Sequence, residues 1–226
     1  MRRPELLYGK KKNTLSRVLT IAFGVFFAIV FLVSLAEMIF YAQYLVVSVD
    51  GRSMLYTLYD KDIVYAKRNT APERGDVVMI RVNGGGWHDT QFSLESEFII
   101  KRCIALEGDT VYAEQGIVYL KKAGEENFSV LEEPYANYVN PDSGEDEQPD
   151  YYFRSVTVGK GEIFFLGDDR PLSLDSHLVG CRLVAQVEGV VPQWAIDHKE
   201  AIQGFEGFRA SLSEGMRAFL GFFGIK

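Results

Sequence analysis

Between Val18 and Ala36 the chain carries no charged side chain. A helix of that length is long enough to cross the hydrocarbon core of a bilayer. Apolar residues continue past Glu37 as far as Val49. The run is longer than the apolar part of a cleavable signal peptide, and no small-residue cleavage pattern comes after it. It reads as an uncleaved transmembrane anchor over 18–40, preceded by a basic segment, 1–17. That segment holds Arg2, Arg3, Lys10, Lys11, Lys12 and Arg17 against the single acid Glu5. Positive charge stays on the cytoplasmic side, so residues after about 40 are expected to face outward. The implied localisation is a single-pass cell-membrane protein with its N-terminus cytoplasmic.

With 226 residues, the chain has room for one substantial domain beyond the anchor. Its net charge of −7 includes the basic flank, so the rest is more acidic than the total. No basic surface for nucleic acid is expected. Cys103 and Cys181 fit no zinc pattern, and His88, His177 and His198 show no metal-binding spacing. The two cysteines are either a disulfide or two small buried residues. Asn83-Gly84-Gly85-Gly86 reads as a turn or flexible loop; with no Gly-Lys-Ser/Thr after it, it is not a phosphate cradle. No cofactor and no metal are expected.

Past the anchor the pattern is that of strands. Val46–Val49, Asp62–Ala66, Asp76–Val82 and Glu97–Ile104 are short β-type runs separated by Gly, Pro, Asn and Asp. Thr110–Ala113 and Gly116–Leu120 form a hairpin about Glu114-Gln115. An acidic insert comes next at about 122–154; from 125 to 150 it holds no Lys or Arg, and Pro134, Pro141 and Pro149 break it. It reads as a solvated loop or a small subdomain. Strand character returns at Tyr151–Phe153, Ser155–Val158 and Glu162–Leu166, and again from Cys181 to Val191. In the tail, 193–226, Phe205, Phe208, Leu212, Met216, Phe219, Leu220 and Phe223 recur at steps of three and four. This is an amphipathic helix, too polar to span a membrane. Packing on the domain, lying in the membrane interface and meeting a partner are all open to it.

Three places carry candidate chemistry. Ser53 sits on the turn Asp50-Gly51-Arg52-Ser53-Met54, directly after a β-rich run. A serine hydroxyl needs a proton acceptor before it is a useful nucleophile. Lys101 lies within the apolar run Phe98–Ile104, on the face of Ile99 and Cys103, with Arg102 on the opposite face. Such a lysine is either an edge residue reaching solvent or an amine held neutral by burial. His177, two residues after Asp175, is a second candidate base. Residues i and i+2 of one strand merely share a face, however, so the aspartate is poorly placed to orient that histidine.

Taken together these stretches resemble bacterial type I signal peptidases. Gly51-Arg52-Ser53-Met54-Leu55-Tyr56-Thr57-Leu58 is similar to the Ser-Met-x-Pro-Thr-Leu box of that family. Arg74-Gly75-Asp76-Val77-Val78 is similar to its next box. Lys101-Arg102-Cys103-Ile104-Ala105-Leu106-Glu107-Gly108-Asp109 is similar to Lys-Arg-x-x-Gly-x-Pro-Gly-Asp. The stretch Gly167 to His177 is similar to Gly-Asp-Asn-Arg-x-x-Ser-x-Asp-Ser-Arg. The boxes stand in the family's order after an anchor, over roughly 15–192. The resemblance implies a serine endopeptidase that cuts signal-peptide-bearing preproteins after small residues at −1 and −3, using a Ser53/Lys101 dyad. It implies an extended substrate, added as a strand beside the segments before Ser53 and before Lys101.

Ser173 corresponds to a serine that hydrogen-bonds and orients the lysine; Asp168, Arg170 and Asp175 correspond to a polar scaffold. Gly51 stands where some members carry a hydroxyl donor to the oxyanion hole, so here the donors must be backbone N–H groups, that of Ser53 among them. Tyr56 replaces a proline, which should loosen its turn; Ala105 and Glu107 replace glycine and proline. Asp169 replaces asparagine, and His177 replaces an arginine partner of Asp175. Such drift fits a peptidase specialised for a narrow substrate set. The competing reading is a catalytically weak relative acting as a chaperone or assembly factor for surface proteins such as pilins. The fold expected is mostly β: a transmembrane helix, an antiparallel sheet or partial-barrel catalytic domain over 41–192, and an amphipathic C-terminal helix. Partners are the preproteins and the lipid bilayer, and the sequence leaves the oligomeric state open.

Overall fold

The computed structural model describes residues 14–82 and 97–222. The turn expected at Asn83–Gly86, the basic residues before Thr14 and Phe223 lie outside them. The chain divides at Gln43/Tyr44 into two units. The first is helix α1 (Thr14–Gln43). Within it, Ser16–Gln43 is long and apolar enough to cross a membrane, and none of it is buried in protein.

The second unit is mostly β. Seven antiparallel strands form a half-barrel: β1 (Tyr44–Ser48), β2 (Ile63–Arg68), β3 (Val77–Arg81), β4 (Phe98–Leu106), β9 (Glu162–Leu166), β10 (Arg182–Leu183) and β11 (Val187–Val191). Their spatial order is β1-β2-β11-β3-β4-β9-β10. A second sheet of β5 (Thr110–Glu114), β6 (Ile117–Lys121), β7 (Ser129–Val130) and β8 (Phe153–Thr157) has the order β7-β6-β5-β8. The expected β5–β6 hairpin forms, but its turn lies one residue later than expected, at Gln115 and Gly116, both at positive φ (52° and 73°).

Alternation along these strands explains where the core sits. In β5, Val111 and Ala113 point inward, while Tyr112 lies outside, stacked on Tyr119. In β9 consecutive residues are buried on opposite faces. Phe164 joins Ile104, Val111, Val118 and Phe153 in one core cluster; Phe165 joins Val78, Ile80, Ile99 and Cys103 in another. Covering one face of the large sheet with the second sheet is what lets β4 and β9 be apolar on both sides. Cys103 and Cys181 are free thiols, and burial pushes their pKa values up to about 12 and about 11.

Three further expectations change. Asp175 and His177 do not share a strand: Asp175 caps the short helix α2 (Ser176–Val179) and its side chain accepts from the His177 amide. The last β region is broken by a 3-10 turn at Val184–Gln186. The tail is two helices, α3 (Gln193–Asp197) and α4 (Lys199–Phe222), because His198 leaves helical geometry at φ −115° and ψ 23°.

Candidate active site

The serine turn is held by the residues on its C-terminal side. Met54 and Leu58 are fully buried, and the Leu58 amide donates to the Met54 carbonyl at 2.8 Å. Gly51 takes φ +91°, a conformation side chains disfavour, and its N–H donates to Asp60 Oδ1 at 2.9 Å. The peptide joining Leu55 to Tyr56 is cis. At the other side the Ser53 carbonyl accepts from the Asp169 amide at 3.1 Å. Ser53 is therefore fixed between its own turn and the Gly167–Asp169 segment.

Lys101 is delivered by β4, opposite Val78 of β3. It is 4% exposed, so the edge reading fails: β4 is an interior strand. Its Nζ donates to Ser53 Oγ at 2.5 Å. Burial pulls the Lys101 pKa down to about 8, against the opposing charges of Asp175 and Asp168. A buried amine has few waters to stabilise its charge, which is why the neutral form gains.

Next along β4, Arg102 points to the other face and joins the boxes together. Its guanidinium makes a two-point ion pair with Asp168, at 2.8 Å and 2.6 Å. It also donates to the Gly75 carbonyl at 2.7 Å and lies 3.9 Å over the Tyr135 ring. Asp168 additionally accepts from Thr57 Oγ1 at 2.5 Å. One cation thus ties together the serine turn, the Arg74-Gly75 turn and the Gly167–Asp169 segment. The sequence placed Arg102 on the face opposite Lys101 but assigned it no role. An arginine inside an apolar strand, beside a lysine, was the signal for one, since neither side chain is buried charged without compensation.

The acidic insert is more than a solvated loop. Glu133 pairs with buried Arg170, which also donates to Tyr138 Oη at 2.9 Å and to the Gly167 carbonyl at 3.0 Å. Asn137 donates from its amide to the Asp168 carbonyl at 2.7 Å, and its side chain donates to Asp169 at 3.1 Å. Burial raises the pKa of the Asp169 carboxyl. Most other acids of the insert are exposed, and that composition hid Glu133 from sequence reading.

Asp175 accepts from the Gly167 amide at 3.0 Å and contacts His177 Nδ1. The His177 ring packs on Tyr151 and Phe153, at 5.7 Å and 6.1 Å. The aspartate does orient the histidine, then, but the Ser53 hydroxyl is engaged by Lys101. Ser173 Oγ is buried and has no hydrogen-bond partner among the described residues. The Ser173–Lys101 bond implied by the resemblance is therefore absent. Ser173 still closes the site: a Cβ on Gly167 would strike its side chain and would come within 2.5 Å of the Ser53 carbonyl. Only glycine admits that approach.

Ser53 and Lys101 open onto a groove of about 690 Å³, bordered by residues 45–54 on one side and 98–101 on the other. β1 ends the sheet, and β9 takes up pairing with β4 only from Arg102 onward. The groove thus runs between strand edges, with Val47, Val49, Met79, Ile99 and Leu174 among its apolar lining.

A family model described as signal peptidase, peptidase S26, matches residues 20–196. Signal peptidase I of Streptococcus pneumoniae is 27% identical over 197 residues, covering 74% of this chain and 87% of that protein. Signal peptidase I U of Bacillus subtilis is 28% identical over 175 residues, covering 74% and 80%. A probable signal peptidase I-1 of a Synechocystis species is 32% identical over 138 residues, covering 57% and 59%.

Proposed function

The chain belongs to the signal peptidase S26 family, and we propose that it removes signal peptides from preproteins with Ser53 as nucleophile and Lys101 as general base. The contact between Lys101 Nζ and Ser53 Oγ, made by a buried amine of depressed pKa, is the observation that carries the assignment. Neutral Nζ takes the hydroxyl proton as Oγ attacks the scissile carbonyl carbon. The ammonium then returns that proton to the leaving amine, giving an acyl-enzyme. Water, deprotonated by the same amine, then attacks the acyl carbon; the ester bond to Oγ breaks, the ammonium returns the proton to Oγ, and the signal segment leaves with a new carboxyl terminus. At pH 7 a pKa of about 8 leaves about a tenth of the amine neutral, against less than a thousandth for an ordinary lysine.

The Gly51 N–H is occupied by Asp60 and Gly51 has no side chain. Oxyanion stabilisation therefore falls to backbone donors, with the Ser53 N–H the first of them. Asp168, Arg170 and Asp175 position the dyad: Asp168 through Arg102, Arg170 and Asp175 through Gly167. Ser173 acts by packing.

An extended preprotein segment lies in the groove as a strand, where residues at −1 and −3 share one face. The groove's apolar lining suits apolar side chains there, and the preference for small ones at −1 and −3 is carried over from the family. Helix α1 serves as the single-pass anchor with the catalytic unit outside the cytoplasm, in keeping with the basic flank. Tyr56 in place of the family's proline, 57% exposed, and the other altered boxes support a narrow preprotein set.

The test is cleavage of a preprotein by purified full chain, with product termini mapped. Ser53→Ala and Lys101→Ala should each lower kcat by roughly a thousandfold or more. Full cleavage by Lys101→Ala would remove the lysine from the mechanism. A chain that binds preproteins and cuts none of them would be the chaperone-like relative instead.

A further inference from the structure

Helix α4 begins beyond the stretch that the family model matches. Its first two turns are packed: Ile202 is buried, Tyr65 Oη donates to Glu206 at 2.5 Å, and Lys199 Nζ reaches Asp62 at 2.6 Å and the Thr57 carbonyl at 3.1 Å. From Ala210 to Phe219 every residue is exposed. An isolated helical segment of that length is marginal in water, and Gly215 within it weakens it further.

The exposed surface is not uniform. Phe205, Phe208, Leu212 and Met216 are 49–65% exposed and fall within about 80° of arc at 3.6 residues per turn. Glu214 and Arg217 lie off that stripe. Charges along α4 balance, with Lys199, Arg209 and Arg217 against Glu200, Glu206 and Glu214. Charge does not select the partner of this stripe.

The place where α4 is rooted does select it. Tyr44, the first residue after the apolar helix, has its ring 6.4 Å from that of Tyr65 and 5.9 Å from that of Trp194 in α3. Trp194 is 40% exposed. Aromatic rings with one polar end gather at the headgroup level of a bilayer. Tyr65, a member of this cluster, is also the residue that holds α4 through Glu206. The apolar stripe thus departs from the same part of the domain that the chain enters from its anchor.

We propose that α4 is an interfacial helix whose Phe205–Phe208–Leu212–Met216 stripe lies in the lipid surface and holds the catalytic unit down on the bilayer. The stripe offers roughly 400 Å² of apolar area, taking usual side-chain sizes. That is about half of the roughly 800 Å² per partner of a stable protein dimer. A lipid surface has no such threshold for a domain already tethered to it, since tethering makes the second contact intramolecular. Lys199 joins this helix to the Thr57 carbonyl, four residues from the nucleophile, so seating α4 also fixes the height of the groove above the membrane.

The inference rests on α1 being the anchor, and the test separates the two. Full-length chain is placed in phosphatidylethanolamine–phosphatidylglycerol vesicles containing brominated lipid. A tryptophan introduced by Leu212→Trp should be quenched severalfold more than one introduced by Ser211→Trp, after subtraction of the parent signal. Equal quenching of the two overturns the proposal. So does disulfide trapping between copies of a Leu212→Cys variant, which would assign the stripe to a second copy. Alkaline carbonate extraction of the parent reports on α1 alone: release from the vesicles refutes the anchor, whatever α4 does. In the same vesicles, Phe208→Glu/Leu212→Glu should cut a membrane-inserted preprotein severalfold more slowly while cutting a soluble peptide at the parent rate. An equal loss on both substrates would mean a folding defect and count against the interfacial role.

Discussion

The pH dependence of kcat/KM tests the chemistry most directly. Only neutral Lys101 can accept the Ser53 proton, and burial sets its pKa at about 8. The neutral fraction then climbs from about a tenth at pH 7 to about nine-tenths at pH 9. The expected profile rises with unit slope below about pH 8 and flattens above it, a gain of roughly tenfold between pH 7 and 9. An ordinary lysine would still be rising at about pH 10, and a histidine base would have levelled off by about pH 7.5. The structure also supplies a second arm. Asp175 and Asp168 both raise the Lys101 pKa. Asp175→Asn removes the larger of those charges while leaving one oxygen for the α2 cap or the Gly167 amide, so the midpoint should move down. The assay is steady-state cleavage of a quenched fluorescent peptide by full chain in micelles, with thermal unfolding monitored in parallel to check the fold. Cleavage that survives in Lys101→Ala and is lost in His177→Ala would refute the argument.

Other perturbations separate stability from chemistry. Asp168→Asn leaves buried Arg102 without its charge partner and should cost about 3–5 kcal/mol, lowering Tm by about 6–20 °C; Arg102→Met/Asp168→Leu should recover part of that in a thermal melt. Gly167→Ala forces a methyl against Ser173 and the Ser53 carbonyl, so peptide kcat should fall by more than the overpacking cost of about 1–3 kcal/mol in unfolding would suggest. Lys101→Met should abolish cleavage yet raise stability at pH 7 by ~1–3 kcal/mol, because it removes a buried group that is charged there. In the parent, the folded-state pKa of Lys101 lies below its unfolded value. Unfolding therefore takes up a proton between about pH 8 and 10.5, and stability rises with pH across that window. The same rise should be missing from denaturation curves of the Met variant.

Much of this protein could be read along the chain, because the signals were local. A charge-free run of helical length, period-two strands and the 205–216 stripe each express the geometry of a single element. Ser53 and Lys101 were likewise conspicuous, as a serine on a glycine turn and an amine in an apolar strand. Their meeting was implied by the family boxes and not by either stretch alone: 48 residues separate them, and the turn after β1 reaches β4 across a sheet in which β2, β11 and β3 lie between those strands. Arg102 and Glu133 show the limit more sharply. One looked like a lysine's neighbour and the other like one acid in a solvated tract, yet each is buried with a partner 66 or 37 residues away. Ser173 shows the reverse: its motif implied a hydrogen bond to Lys101, and packing against Gly167 left its hydroxyl without one. Periodicity fixes which face a side chain takes. Which charges meet on that face, and whether an amine there keeps its proton, depends on burial that only the assembled sheets create.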